Sequence, residues 1–392
     1  MSELINENDN RATIRWRLLT GASALALTGY VAASAVAKAE DASHPQLWIE
    51  LGGELSRLSD GQETFSPNFP DSPARPSIFS PSQKFERTPL YSIDEYGRLL
   101  FQPEGSDWSF SASIRYGRST SNKHVVQQTN PKAFHLLRHY YGQTNQYTGF
   151  PSAERFADTA SGNNEEHFIL DFQVGKDVGL GMFGKNGSST VSLGVRFAQF
   201  HSKSDIALKS DPDFHFSYKY NPYVLYFGFT SSKLLKGQAY HSNSASLRAT
   251  RSFRGVGPSL SWNASAPFAG NPEGGELALD WSVNAALLFG RQQARTHHQT
   301  TGRYHGAQYG DAVRPIIFQG PTAPDHSRSR NVTVPNIGGS VGLSWKLQNF
   351  KMSAGYRADF FFNAMDGGID AHKAYDRNFF GPFATVSIGL GG

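Results

Sequence analysis

From Trp108 to Tyr116 the chain reads Trp-Ser-Phe-Ser-Ala-Ser-Ile-Arg-Tyr, with an apolar or small residue at every even position and a polar one at every odd position. A period of two puts alternate side chains on opposite faces of a β-strand, so the sheet it builds must separate two chemically distinct environments. The same beat returns to the end of the chain and predicts ten strands. These are Gln46–Ser56, Ile93–Gln102, Asp107–Ser119, Glu166–Gly175, Thr190–His201, Ser244–Ser265, Gly275–Gly290, Asn336–Lys346, Phe350–Phe362 and Phe379–Leu390.

The joins alternate as the strands do. Short ones (Pro103–Ser106, Lys176–Ser189, Ala266–Gly274, Leu347–Asn349) take turns with long ones (Arg57–Ser92, Thr120–Glu165, Ser202–Asn243, Arg291–Pro335, Asn363–Asn378). That alternation, with an even strand number, is the layout of an all-β, antiparallel, up-and-down transmembrane barrel with long extracellular loops. Aromatic residues at strand ends, Trp48, Trp108, Tyr116, Trp262, Trp281 and Trp345 with Phe197, Phe289, Phe360 and Phe362, supply the interfacial belts such a barrel needs. Two places strain the scheme. The sixth strand is long, and its Arg251–Gly257 stretch predicts a bulge at Gly255. The third long loop holds an aromatic segment, Phe214 to Phe229, which as a further hairpin would give twelve strands and as a loop would pack over the barrel mouth.

The N-terminus changes the picture from a sheet protein to an exported one. Arg11, Arg15 and Arg17 precede a run of apolar and small residues from Leu18 to Val36, then Ala37-Lys38-Ala39. This predicts a signal peptide over residues 1–39, with residues 40–392 as a single barrel domain. Beyond it no stretch is long and apolar enough to cross a bilayer as a helix, so membrane residence requires a closed barrel. Cysteine is absent from the sequence, which excludes disulfides and thiolate metal sites. The formal net charge of +4 is too small and too dispersed to point to nucleic acid.

Five segments, 191–200 (VSLGVRFAQF), 252–259 (SFRGVGPS), 285–290 (AALLFG), 353–359 (SAGYRAD) and 379–383 (FFGPF), resemble in order and spacing the pore-forming outer-membrane barrel family typified by the Legionella major outer membrane protein. The resemblance runs from about Glu166 to Leu390 and implies a pore in the outer membrane of a Gram-negative bacterium. It brings no catalytic motif with it.

On the face that alternation turns away from lipid stand Arg98, Arg115, Asp171, Gln173, Arg196, Arg248, Asp280, Asn284, Lys351, Arg357 and Asp359. In a narrow barrel such groups either line a water path or pair to plug it. Six of the nine charged ones are basic, so an open path would prefer anions weakly. Gly338-Gly-Ser-Val-Gly342 and Gly179-Leu-Gly-Met-Phe-Gly184 match hydrolase and nucleotide motifs in letters only, for neither sits where a strand turns into a helix. His297, His298, His305 and His326 lack the carboxylate or thiolate spacing of a metal site, and Asp359, Asp366 and Asp370 are a weak candidate for rim hydrolysis.

The expectation is therefore a non-enzymatic porin-like pore for passive diffusion of small hydrophilic solutes, with no cofactor and no metal. The alternative is a closed structural or adhesive surface barrel. Expected partners are outer-membrane lipid and lipopolysaccharide, the barrel assembly machinery, small solutes and, by analogy with porins, further copies of the chain.

Overall fold

The computed structural model describes residues 46–59, 90–127, 157–179, 187–210, 241–271, 273–305 and 325–390, with the backbone of five short strands besides. The chain-order elements are β1 (Gln46–Ser59), β2 (Leu90–Gln102), β3 (Trp108–Gln127), β4 (Phe134–Tyr140), β5 (Gln143–Gly149), β6 (Ala157–Asp177), β7 (Ser188–Ser210), β8 (His215–Tyr220), β9 (Lys233–Gln238), β10 (His241–Asn271), β11 (Gly275–His305), β12 (Pro315–Gln319), β13 (His326–Leu347), β14 (Phe350–Asp366) and β15 (Ala374–Leu390). The expected signal segment, residues 1–39, lies outside the described residues.

Ten of these strands run antiparallel in the order β10-β7-β6-β3-β2-β1-β15-β14-β13-β11, and a β10–β11 ladder joins the two ends. The sheet thus has no free edge, as a lipid-embedded sheet requires, because an unpaired backbone amide in hydrocarbon has no partner. Each of the ten predicted strands is present, and the observed strands are longer chiefly at their long-loop ends. β10 and β11 reach 31 residues each, whereas 9–11 suffice to cross a bilayer, so this hairpin carries well past the membrane at its long-loop end.

Among the described residues, the segment Phe214 to Phe229 adds no strand to the barrel. Residues 215–220 join a separate four-stranded sheet, β4-β5-β8-β9, and the twelve-strand alternative is set aside. The rest of that aromatic segment is outside the described residues.

The bulge expected at Gly255 is absent as well. Pairing with β7 runs unbroken through 251–257, the register with β11 is the same on both sides of Gly257 and Pro258, and the register shift falls between Pro267 and Ala269. Gly255 and Gly290 are cross-strand partners, and the Phe253 ring lies over both. A Cβ on Gly255 would come within 2.5 Å of that ring, and one on Gly290 within 2.8 Å. The glycine makes room for an inward aromatic ring and does not bend the strand.

The outward face is apolar. Val195, Val256, Leu260, Val283, Phe289, Ile337, Val341, Leu343 and Met352 are all about half exposed, from 48% to 54% in most of the set. Trp108 and Tyr116 lie eight residues apart on the same outward face of β3. At about 3.3 Å per residue and a tilt near 40°, that separation is about 20 Å across the bilayer, the height of an apolar band bounded by its aromatic rows.

Candidate functional site

Alternation gives each strand one inward set, and two very different layers stack inside the barrel. Toward the short-turn end is a polar chamber of about 390 Å³. Arg98, Arg115, Asp171, Gln173, Arg196, Asp280, Asn284, Lys351, Arg357 and Asp359 all line it, together with Glu50, Tyr96 and eleven serines and threonines. The inward set read from alternation thus converges on one chamber, except for Arg248. That residue is exposed on the outer face and its Nε donates to Asp205 at 2.9 Å, because odd positions of β10 (Ala245, Leu247, Ala249, Arg251) are the inward ones.

Most of the chamber's charges are paired. Arg196 holds Asp171 in a two-point contact of 2.7 and 3.0 Å and donates also to Asn284 at 2.7 Å and to Asn336. Lys351 Nζ lies 2.6 Å from Asp280, which accepts from Ser265 at 2.6 Å. Arg357 reaches Glu54 at 3.4 Å. Arg98 stands directly across from Glu50 in the β1–β2 ladder but has no ion pair among the described residues.

Above the chamber the lumen closes. Arg115 Nη1 binds Asp359 at 2.7 Å, with Glu54 at 3.5 Å and Asp94 at 3.8 Å, and all four side chains are nearly inaccessible. Asp94 also accepts from Ser56 and Ser92, at 2.7 and 2.5 Å, and lies 2.9 Å from His167 Nε2. Phe200, Phe253, Phe361 and Phe379 fill the next level, each 0% exposed, from four different strands. Phe200 touches the other three, with ring centroids 4.8 to 5.7 Å apart. Leu58, Leu288, Val334, Ala364 and Met365 complete this dry layer. Beside it Arg377 and Glu165 pair at 2.6 Å with both side chains wholly buried.

A cap formed by 363–373, between β14 and β15, lies over the layer from the long-loop end. The Asp366 carboxylate accepts from Arg328 Nε at 3.1 Å and from the amides of Gly368 and Lys373 at 3.0 and 3.1 Å. Burial alone would raise the Asp366 carboxyl, but these donors outweigh it and hold the group below the ordinary carboxylate value. Arg328 also donates to the carbonyls of Gly368 and Ile369, and Thr296 to Ile369. Ile369 packs against Ile206, Leu208, Ala245 and Leu247.

The other candidates scatter. Gly338–Gly342 sits in mid-β13, paired on both sides, so no elbow forms around Ser340. Most of 179–184 is outside the described residues. His298 and His326 both face Asp370, at 2.8 and 3.6 Å, while His297 pairs with Asp325. No group of three or more metal-ligating side chains occurs among the described residues. Asp359, Asp366 and Asp370 take separate partners, Arg115, Arg328 and His298, and do not form a dyad.

Five of the six belt residues fit the outward scheme. Trp108 is 50% and Trp345 36% exposed, Tyr116 is overlain by Arg118, and Trp262 meets Trp281 edge to face at 6.2 Å. Trp48 is a correction. It shares parity with the buried Glu54, Ser56 and Leu58, and Lys346 lies over its ring at 5.6 Å, so it sits on the inward side of the short-turn rim.

Residue type alone did not mark Glu54, Asp94, Glu165, His167 and Arg377, nor the four phenylalanines. Parity would have: Phe200 and Phe361 share the inward set with Arg196 and Asp359. A ring on a face otherwise read as wet looks like an exception until the sheet closes on it.

No protein-family model and no curated protein matches this chain. Solved structures with some likeness include the transport unit of the autotransporter AIDA-I from Escherichia coli, at 10% identity over 92% of this chain and 96% of that one, with a TM-score of 0.20. The toluene transporter TodX of P. putida matches at 8% identity over 90% of each chain, with a TM-score of 0.16. A TodX mutant described as a monoaromatic hydrocarbon channel gives 9% identity, 89% and 91% coverage and a TM-score of 0.16. At these scores neither function nor a shared backbone follows. The closed ten-strand barrel stands on its own strand register.

Proposed function

We propose that this protein is an outer-membrane pore for small hydrophilic solutes, non-enzymatic, and closed at rest. The observation that carries the proposal is the polar chamber: about 390 Å³ of lumen lined by charges of both signs and by hydroxyls, inside a wall whose other face is apolar. Polar residues in a barrel interior hold water and polar solute where they leave space between them, and here they leave about 390 Å³. The resemblance of 191–200, 252–259 and the later segments to a pore-forming family supports the same reading. By the rule that short turns face the periplasm, the chamber opens inward to the cell and the sealed layer faces out.

A weak anion preference belongs to the proposal, now for a narrower reason. Arg98 is the chamber's basic group without an ion pair among the described residues, and Glu50 across the ladder offsets part of its charge, so the preference is weak. The second reading, a permanently closed surface barrel, is favoured by one observation, the four-phenylalanine layer that crosses the whole lumen.

Recordings of purified protein in planar bilayers separate the two. Wild type should show rare, brief current steps, and the F361A/F379A variant steps that are larger and longer-lived. Arg98→Gln should move the reversal potential toward neutrality. Silence from both wild type and the phenylalanine variant, with the variant folded, would leave the closed barrel standing.

A further inference from the structure

On the outer face one rung of the ladder places like charges opposite each other. Arg254 of β10 and Arg291 of β11 are direct cross-strand partners, and both are exposed. The next outward rung toward the short-turn end is Val256 with Phe289, which are 50% and 54% exposed, and Phe197 of β7 stands beside Val256. The two guanidiniums therefore stand where the apolar band stops.

Neither has a carboxylate partner among the described residues. Arg254 lies over the Phe197 ring at 5.3 Å, and Arg291 donates through Nε to the Ser329 hydroxyl. Two outward rungs farther from the membrane Arg295 is exposed as well. The β3–β6 wall is built differently at its own boundary, where Arg118 faces Glu166 directly and the pair closes at 2.5 Å.

Like charges directly opposite in a sheet destabilise it, so the β10–β11 rung is short of an anion. Two planar forks at one level of the wall, Arg254 leaning toward Phe197 of β7 and Arg291 toward Ser329 of β13, match phosphate oxygens, and apolar surface immediately below matches acyl chain. We propose that Arg254 and Arg291 each bind phosphate oxygens of an outer-leaflet glycolipid whose chains lie along Phe197, Val256 and Phe289. The site is on the lipid face, so it stands or falls independently of conduction through the lumen.

The test uses the full barrel purified in nonionic detergent and counts bound lipid by native mass spectrometry. The probes are lipid A, the same lipid with its phosphates removed, and inorganic phosphate. Wild type should retain lipid A and release the dephosphorylated form. R254Q/R291Q should bind lipid A roughly tenfold more weakly or worse, the effect of losing a charge-assisted hydrogen bond, while R254K/R291K falls between and Arg118→Gln leaves binding unchanged. Equal retention of phosphorylated and dephosphorylated lipid would overturn the proposal. So would undiminished binding by R254Q/R291Q, or occupancy by inorganic phosphate as tight as by lipid A, which would mean a free-anion site. Should the double variant fail to fold, Arg291→Gln alone and the paired lipids on wild type decide the matter.

Discussion

Strand β14 passes from a wet compartment into a dry one within ten residues. Its inward positions run Lys351, Ser353, Gly355, Arg357, Asp359 and Phe361, the first five in or at the chamber and the last wholly buried among rings. Both compartments are made by the same face of the same strands, so the facing rule does not distinguish them. What differs is the partner across the lumen. Around the chamber the ion pairs stay on one stretch of wall, Arg196 with Asp171 on the adjacent strand and Lys351 with Asp280 and Arg357 with Glu54 one strand further off, whereas at its upper end Arg115 of β3 meets Asp359 of β14 from the far wall, 244 positions along the chain. Ion pairs that reach only one or two strands around the wall leave space between walls, and a pair that spans the lumen removes it.

The sharpest way to break this contrast is to unbalance the dry side. Arg377→Met takes a 2.6 Å cation partner from the buried Glu165, and up to about 3–5 kcal/mol of stability should be lost. Removing both charges with Glu165→Gln and Arg377→Met together should cost much less. The midpoint of urea unfolding in lipid vesicles measures both, and equal losses from the single and double variants would show that the pair is not what the layer depends on.

Water access is the next discriminator, and the cysteine-free sequence makes it clean. Ser111 and Ser353 line the chamber, whereas Ser202 is 0% exposed in the sealed part. Cysteine at 111 or 353 should react with a membrane-impermeant thiol reagent applied from the short-turn side and stay unreactive from the other. Cysteine at 202 should resist from both. Labelling of position 111 from the long-loop side would mean that the plug does not seal.

The smallest effect belongs to the cap. Asp366 is held below its ordinary value of 3.8, so its contribution is complete above that pH and is lost as pH falls through the depressed value. Between pH 7 and pH 5 the cap should stay latched, and below about 3.8 it should loosen. Asp366→Asn should cost about 1–2 kcal/mol, from weakened bonds to Arg328 and to the Gly368 and Lys373 amides, and should remove that acid dependence. Hydrogen exchange at the amides of Gly368 and Lys373 reports on it directly, and protection that is unchanged in the variant would discard the latch.

Ten strands, their order and the apolar outward face were legible in the chain, and so was the inward set, Arg98 to Asp359, that lines the chamber. Each follows from a period of two, which is a local property. The failures have local causes too. Gly255 looked like a bulge because a glycine in a strand is ordinarily a backbone device, but here the Phe253 ring uses the space. Residue type points Trp48 to the belt against its own parity, and Arg248 to the lumen although it shares parity with outward Ser246.

The sequence by itself determined which side of each strand a residue occupies, because side-chain alternation depends on nothing beyond the strand. Only closure of the barrel decided that Phe200, Phe253, Phe361 and Phe379 meet, that Arg115 finds Asp359, and that the 363–373 segment lies over them. Those contacts link distant stretches of chain, and their geometry depends on the register of all ten ladders at once.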